Sequence, residues 1–380
     1  MEEEAVTKAV GSVIKQIKAP NIAVLGATGT GKSSLINAVF GKDLAEVGAG
    51  LPVTRGFHLY SNELVNIYDS AGYELGEGIT FVDNIIEFFQ AKEIAGIEQQ
   101  IHLVWYLINA ASARVERFNI EIISQLRKRG IPLIVVLSQA DRARPEEIDS
   151  IKQLLAEFKV TQAFDVIEVA ASPLLIRGKP ICEPFGLEEL VAKTLERLPE
   201  IYADAVRMAQ IVDLKSKREL AWKLIVAAAA ATFSSGFIPI PGVTTGASLA
   251  IQGSLVISIA SVYGFRHTGE LLLRNYAGIV TTSVLGFAGA TLGLDIVKSF
   301  IPGVGNVLTG GTAATLIVIT GLAYASAFEA MAKAHINLVD SEETKKFFIN
   351  SFKQGLQEYS NVVIRNTTDL GKVKDRFLKG

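Results

Sequence analysis

Residues 21–40 read NIAVLGATGTGKSSLINAVF, and within them Gly26, Gly31, Lys32 and Ser33 fall at the spacing G-x-x-x-x-G-K-[ST]. That spacing cradles phosphate. Its chemistry is specific to the residue types. The run Gly26, Ala27, Thr28, Gly29, Thr30, Gly31 offers backbone N–H groups to phosphate oxygens, and the helix that follows adds positive potential. Lys32 reaches the β and γ oxygens and the Ser33 hydroxyl binds Mg2+, with Ser34 beside it at the start of the helix. A second group follows in PVTRG and DSAG, which carry Thr54, Asp69 and Gly72. A carboxylate at a strand end can hold Mg2+ through water. A glycine three residues later leaves its N–H free to approach a γ-phosphate. Alone, Asp69 also reads as a turn residue at a strand end, the lesser of the two readings. A third group is SQAD at 138–141 and AAS at 170–172. Asp141 in isolation is an aspartate after a strand, or a helix N-cap.

These residues need a scaffold that brings them to one edge. NIAVLG, the strand pair in 56–72 joined at Ser61-Asn62, IHLVWYLINA, IPLIVVL and FDVIEV are apolar runs of strand length, with helical stretches between them. Such alternation predicts an α/β fold with an open, mostly parallel, doubly wound sheet. In that fold ligands sit at the carboxyl ends of the strands. Thr54 is expected in a polar loop.

Composition bounds the rest. The chain has 380 residues, 49% of them hydrophobic and 20% charged, with net charge −2. Two or three domains with sizeable cores follow. The charge gives no footprint for nucleic acid, so no nucleic-acid partner is expected. Cys182 is the lone cysteine, which fits a reducing, cytoplasmic compartment. His58, His102, His267 and His335 have no metal-ligand spacing. The acidic, amphipathic start predicts a helix over 1–19 ended by Pro20, without the features of a signal peptide.

Residues 224–265, 275–294 and 299–328 contain no Asp, Glu, Lys or Arg. The shift divides the chain into a nucleotide-binding domain at 20–204 and an all-α domain at 205–380. Residues 237–264 resemble 299–325: Ile240-Pro241-Gly242 aligns with Ile301-Pro302-Gly303, and Tyr263 with Tyr324, at one offset of 61. Each unit is expected to break at Pro-Gly and then run as a helix, with further helices at about 218–233 and 276–299. The charge-free runs are long enough to span a membrane. They fit the buried centre of a soluble bundle equally well. In the tail, Phe347, Phe348, Phe352, Leu356 and Tyr359 fall at helical spacing, a stripe that reads as core packing.

GATGTGKSSLINAVFG, PVTRG, DSAG and SQAD stand in an order and spacing that resembles the G domain of Era-like, translation-factor-class GTPases, within them the branch that includes the immunity-related GTPases. The resemblance covers about residues 20–200. It implies GTP and GDP with Mg2+ as ligands. It implies that Thr54 is the switch I threonine and that Asp69 and Gly72 form switch II. Lys32, Thr54 and Gly72 then serve catalysis, and Ser33, Thr54 and Asp69 the metal. Asp141 would accept hydrogen bonds from guanine N1 and N2. Ser138 and Gln139 depart from the family's Asn/Thr and Lys, which predicts a weaker grip on the base. The N–H of Ala171 would meet guanine O6. Tyr73 follows DSAG where a water-positioning glutamine often stands, and Gly29 replaces an asparagine that holds potassium in some relatives. The resemblance also implies pairing of G domains as a homodimer or oligomer, with Arg55, Arg114 or Arg117 assisting. The second half resembles the hydrophobic domains with IPIPG turns that follow bacterial Era-like G domains. That implies lipid contact through 221–330 at the cytoplasmic face of a membrane.

The expectation is a GTPase, slow without dimerisation or a partner, whose nucleotide state is coupled to a membrane-associated or self-assembling helical domain. The alternative is a nucleotide-gated scaffold that barely hydrolyses GTP and carries a soluble bundle. A third reading is an ATPase.

Overall fold

The computed structural model describes residues 17–41, 51–54, 56–72, 78–112, 114–158, 164–235, 255–265, 310–336, 342–364 and 367–379. The chain divides into two compact units, one spanning Ile17–Asp213 and the other running from Leu214 onward. Most of the helix expected over 1–19 lies outside the described residues; 17–20 are not helical.

The first unit is built on seven strands: β1 (Asn21–Gly26), β2 (Leu51–Thr54), β3 (Phe57–Ser61), β4 (Asn66–Ser70), β5 (Leu103–Asn109), β6 (Leu133–Ser138) and β7 (Asp165–Val169). They lie in the order β2-β3-β4-β1-β5-β6-β7. β4, β1, β5, β6 and β7 run parallel, and β2 and β3 form an antiparallel edge. The turn from β3 to β4 is set by Asn62, whose Oδ1 accepts from the N–H groups of Leu64 and Val65 at 2.8 and 2.9 Å.

The apolar runs are continuous because both faces of the sheet are covered. In β1, Ile22 and Val24 face one side and Ala23 and Leu25 the other. In β5, Leu103, Trp105 and Leu107 alternate with Val104, Tyr106 and Ile108 in the same way. The first face packs on α1 (Lys32–Phe40), α5 (Leu187–Arg197) and α6 (Glu200–Ala209). The second packs on α2 (Gly78–Ile94), α3 (Arg117–Lys128) and α4 (Pro145–Glu157). Val206 of α6 belongs to this core, so the unit runs past residue 204. β1 sits between β4 and β5, and the connections from its neighbours diverge there. That switch point opens a crevice at the carboxyl ends.

The sequence does not announce the short β2 or a separate hairpin, β8 (Leu174–Ile176) and β9 (Lys179–Cys182). Strands of three or four residues carry too little periodicity to read. The hairpin turns at Arg177 and Gly178, both left-handed with φ of 51° and 79°, as a two-residue hairpin loop requires.

The second unit contains α7 (Leu214–Ser235), α8 (Gly310–Lys333), α9 (Glu342–Glu358) and α10 (Thr367–Lys379), and a helical stretch at 255–262. The helix expected at 218–233 is α7. The two Pro-Gly breaks and the helix expected at 276–299 lie outside the described residues. Residues 255–262 correspond to 316–323 of α8 at the repeat offset, and both are helical. α8 packs closely between neighbours. A Cβ on Gly321 would lie 2.7 Å from Ile225 Cγ1 of α7, and one on Gly355 of α9 would lie 2.8 Å from Ala323 Cα. From the tail stripe, Phe348, Phe352, Leu356 and Tyr359 are buried. Phe347 is the exception at 37% exposed, because it points off the packed face.

Thr315–Lys333 of α8 is long and apolar enough to cross a membrane, and 78% of it is buried within the protein. It also carries a charge inward. Arg218 of α7 donates to both oxygens of Glu329 at 2.6 and 2.5 Å, and Lys333 stands 2.7 Å from the same carboxylate.

Candidate functional site

The phosphate loop joins β1 to α1. Gly31 caps the helix in the left-handed region, φ 85°, which glycine adopts without strain. Inside the loop, Thr30 donates twice to the Ala27 carbonyl, from Oγ1 at 2.9 Å and from its N–H at 3.3 Å. Lys32 Nζ donates to the Gly26 and Ala27 carbonyls at 3.0 and 3.1 Å. Burial lowers its pKa, and Asp69 partly offsets that. Thr28, Gly29 and Ser34 are exposed.

Asp69 enters from β4, beside β1 in register with Val24. Ser33 Oγ donates to its Oδ2 at 3.4 Å. The residue is 6% exposed, and Oδ1 is buried without a hydrogen-bond partner. Burial raises its pKa against the opposing effects of Lys32, Ser33 and His58. A buried carboxylate oxygen with no donor, next to a serine hydroxyl and near a lysine, has the chemistry of a hydrated-cation site. The donor set therefore fits Mg2+.

Gly72 lies against the phosphate loop. A Cβ there would fall 2.4 Å from the backbone N and Cα of Thr28, so any other residue forces the two loops apart. The sequence predicts Thr54 in a polar loop; it is instead the last residue of β2, with its backbone opposite Phe57. Edge pairing with β3 claims the segment. The Ala71 N–H donates to the Gly56 carbonyl at 2.6 Å, which ties the β2–β3 turn to the segment carrying Gly72. Arg114 and Arg117 are exposed, whereas Arg55 and Tyr73 lie outside the described residues.

At the next carboxyl ends stand SQAD and AAS. Ser138 is buried, and its Oγ lies 3.3 Å from the Ile108 carbonyl. Gln139 takes a left-handed conformation, φ 53°, and its Nε2 donates to the Gly29 carbonyl at 2.8 Å. The substitution that sequence reads as a loss at the base thus acts as a brace on the tip of the phosphate loop. Nothing in the sequence signals the contact, which spans 110 positions. Asp141 sits in a single helical turn, with its side chain 5% exposed and Oδ2 3.8 Å from Arg142 Nε. Ala171 follows β7, half-buried, one residue after Ala170 pairs with Phe185. Gln139→Ala is expected to weaken GDP and GTP alike by about fivefold, the worth of one neutral hydrogen bond. Titration with a fluorescent guanine nucleotide checks this, and Gln139→Lys is expected to retain affinity.

Residues 21–139 match the sequence family described as 50S ribosome-binding GTPase. The chain is similar to the probable GTP-binding protein EngB of Mycoplasmopsis synoviae, 24% identical over 166 residues, covering 40% of this chain and 82% of that one. It is similar to GTPase Era of Caldicellulosiruptor saccharolyticus, 26% identical over 188 residues, 48% of this chain and 57% of that one. The chain thus spans little more than half the length of that Era relative. Among solved structures, a probable GTP-binding protein EngB aligns over 47% of this chain and 99% of that one, at 18% identity and TM-score 0.34. Aquifex aeolicus Era bound to GDP and AlF4- aligns over 48% of this chain and 58% of that one, at 19% identity and TM-score 0.32.

Proposed function

The first unit is an Era-like P-loop GTPase domain, and from that premise we propose that the protein cycles between GTP and GDP with Mg2+ and couples that cycle to its helical unit. The observation that carries the metal-dependent part is the partnerless Asp69 Oδ1 beside Ser33 and Lys32. The loop from Gly26 to Gly31 holds the phosphates by its N–H groups, and Lys32 exchanges its two loop carbonyls for phosphate oxygens. Ser33, Thr54 and Asp69 would hold Mg2+, which neutralises charge on the β- and γ-phosphates. Gly72 offers its N–H to the γ-phosphate from the side of Thr28. Asp141 and the Ala171 N–H read the guanine edge.

Turnover is slow in the monomer, because Tyr73 stands where a glutamine often positions water. Pairing of G domains supplies the missing group, with Arg114 and Arg117 exposed for that role. A supplied arginine is worth about 10³–10⁵ in rate in related systems. Phosphate release by the full chain over a dilution series tests this: the rate per molecule is expected to rise with concentration. A flat series removes the pairing step, and no release at any concentration leaves a nucleotide-gated scaffold. Displacement of labelled GTP by excess ATP would turn the reading toward an ATPase.

The helical unit contacts lipid or a second copy through 221–330, at the cytoplasmic face of a membrane. Three charge-free runs support this. The cover over α8 and its inward-facing Glu329 favour docking of an assembled bundle over exposure of α8 to lipid. Release from membranes by high salt or by carbonate is the expected outcome, and resistance to both with release by detergent alone would indicate insertion.

A further inference from the structure

Residues 171–184 leave the sheet after β7, form the β8–β9 hairpin and return. Their return is fixed by a reciprocal backbone pair: the Ala170 N–H donates to the Phe185 carbonyl and the Phe185 N–H to the Ala170 carbonyl, both at 3.1 Å. Gly186 closes the pin. It has φ of 75°, and a Cβ there would lie 1.9 Å from the Glu168 carbonyl oxygen. Backbone contact this close admits glycine alone. Gly186 is also the N-cap of α5, so the pin is anchored in the packed layer through Leu190 and Val191. Ala171, the residue whose N–H is assigned to guanine O6, begins the excursion one position beyond the pinned Ala170.

We propose that the Phe185–Gly186 segment is a positioning element for base recognition: its backbone pair with Ala170 fixes the direction of the Ala171 N–H. This rests on the guanine reading of the site. A loop of this length attached only at β7 would leave that N–H free to turn, and an ill-directed donor loses most of its hydrogen bond. The hairpin itself is then dispensable for discrimination, while the pin is not. The Phe185 side chain is also secondary, because the pairing uses backbone atoms.

The test compares GDP with two analogues on the full chain. The 2-aminopurine riboside diphosphate lacks O6 and, with it, the N1–H, so it reads the Ala171 N–H together with one of the two Asp141 bonds. Inosine diphosphate lacks the 2-amino group and reads Asp141. The unmodified protein is expected to bind GDP at least tenfold more tightly than the 2-aminopurine analogue. In Phe185→Pro, which removes the N–H of the pair, that ratio is expected to fall about fivefold, the share due to O6, while the remainder due to N1–H and the GDP-to-inosine ratio, both read by Asp141, stay. Phe185→Ala, and replacement of Leu174–Cys182 by a short Gly-Ser linker, are expected to keep both ratios. An unchanged 2-aminopurine ratio in a folded Phe185→Pro protein overturns the proposal. Equal binding of GDP and both analogues by the unmodified protein would overturn the guanine reading itself. Amide hydrogen exchange on the unmodified protein reads the pin without any substitution. Ala170 and Phe185 are expected to be protected without nucleotide and Ala171 only with GDP. Fast exchange at Ala170 without nucleotide also overturns the proposal.

Discussion

Asp141→Asn is expected to lower affinity for GTP by about 100-fold and to raise affinity for XTP. The size follows from a charge-assisted hydrogen-bond pair worth about 1.5–3 kcal/mol, lost in a site where the donors of guanine would meet an amide instead. The side chain is almost wholly enclosed, so water cannot substitute for the missing acceptor. Xanthine presents a carbonyl at position 2, which the new amide can meet as a donor. The sign of the change is therefore opposite for the two bases, and a general loss of folding cannot produce that. Competition of GTP and XTP for one labelled nucleotide measures it. Unchanged selectivity would make SQAD only the end of β6, and would remove Asp141 from the site.

The second large effect lies in the helical unit. Glu329→Ala leaves the part-buried Arg218 guanidinium and the buried Tyr263 hydroxyl without their shared carboxylate, at an expected loss of about 3–5 kcal/mol. Against a typical domain stability of about 5–15 kcal/mol, that is enough to unfold a marginal bundle. The paired change Arg218→Met with Glu329→Leu is expected to cost only about 1–2 kcal/mol, because apolar groups of similar size need no desolvation and the buried Tyr263 hydroxyl, 3.5 Å from Glu329, loses an acceptor. Burial alone would raise the Glu329 pKa, but the hydrogen bonds from Arg218 and Lys333 overcome it and hold the carboxyl below its usual value. A depressed folded-state value means stability that is present above the unfolded pKa, about 4.3, and lost as pH falls through the folded one. The unmodified unit should therefore weaken below about pH 4, and the paired variant should lose that dependence. Thermal unfolding followed by circular dichroism at several pH values separates the two.

How much of this could be read from the chain depends on range. The phosphate loop is local: its glycines, Lys32 and Ser33 fall within eight residues, and strand and helix flank it as the motif demands. The parallel sheet was legible because strands buried on both faces write themselves as apolar runs. Gln139 was half legible. Its departure from the family lysine is visible, but its contact with Gly29 depends on a left-handed backbone that sequence does not report for glutamine. The Arg218–Glu329 pair joins positions 111 residues apart. Its one trace in the sequence is a glutamate placed directly after a charge-free run. β2 and the β8–β9 hairpin were missed because very short strands show no alternation, although Arg177-Gly178 between two apolar stretches was a usable turn signal.

Trp105 lies fully buried in β5, stacked on Phe40 at the end of α1 with centroids 5.8 Å apart, and its Nε1 donates to Thr194 Oγ1 at 3.0 Å. Trp222 is buried in α7, 6.5 Å from Phe377 of α10. These two are all the tryptophans in the chain. Each unit thus carries one tryptophan, which excitation near the red edge of the absorption band selects over tyrosine. Trp105 touches the helix that begins at the phosphate loop, so its emission senses α1 when nucleotide binds. Trp222 senses α7 beside the terminal helix. In Trp105→Phe and Trp222→Phe proteins, the optical signal becomes domain-resolved without any attached dye. A change in Trp222 emission on adding GTP would be a direct reading of communication from one unit to the other.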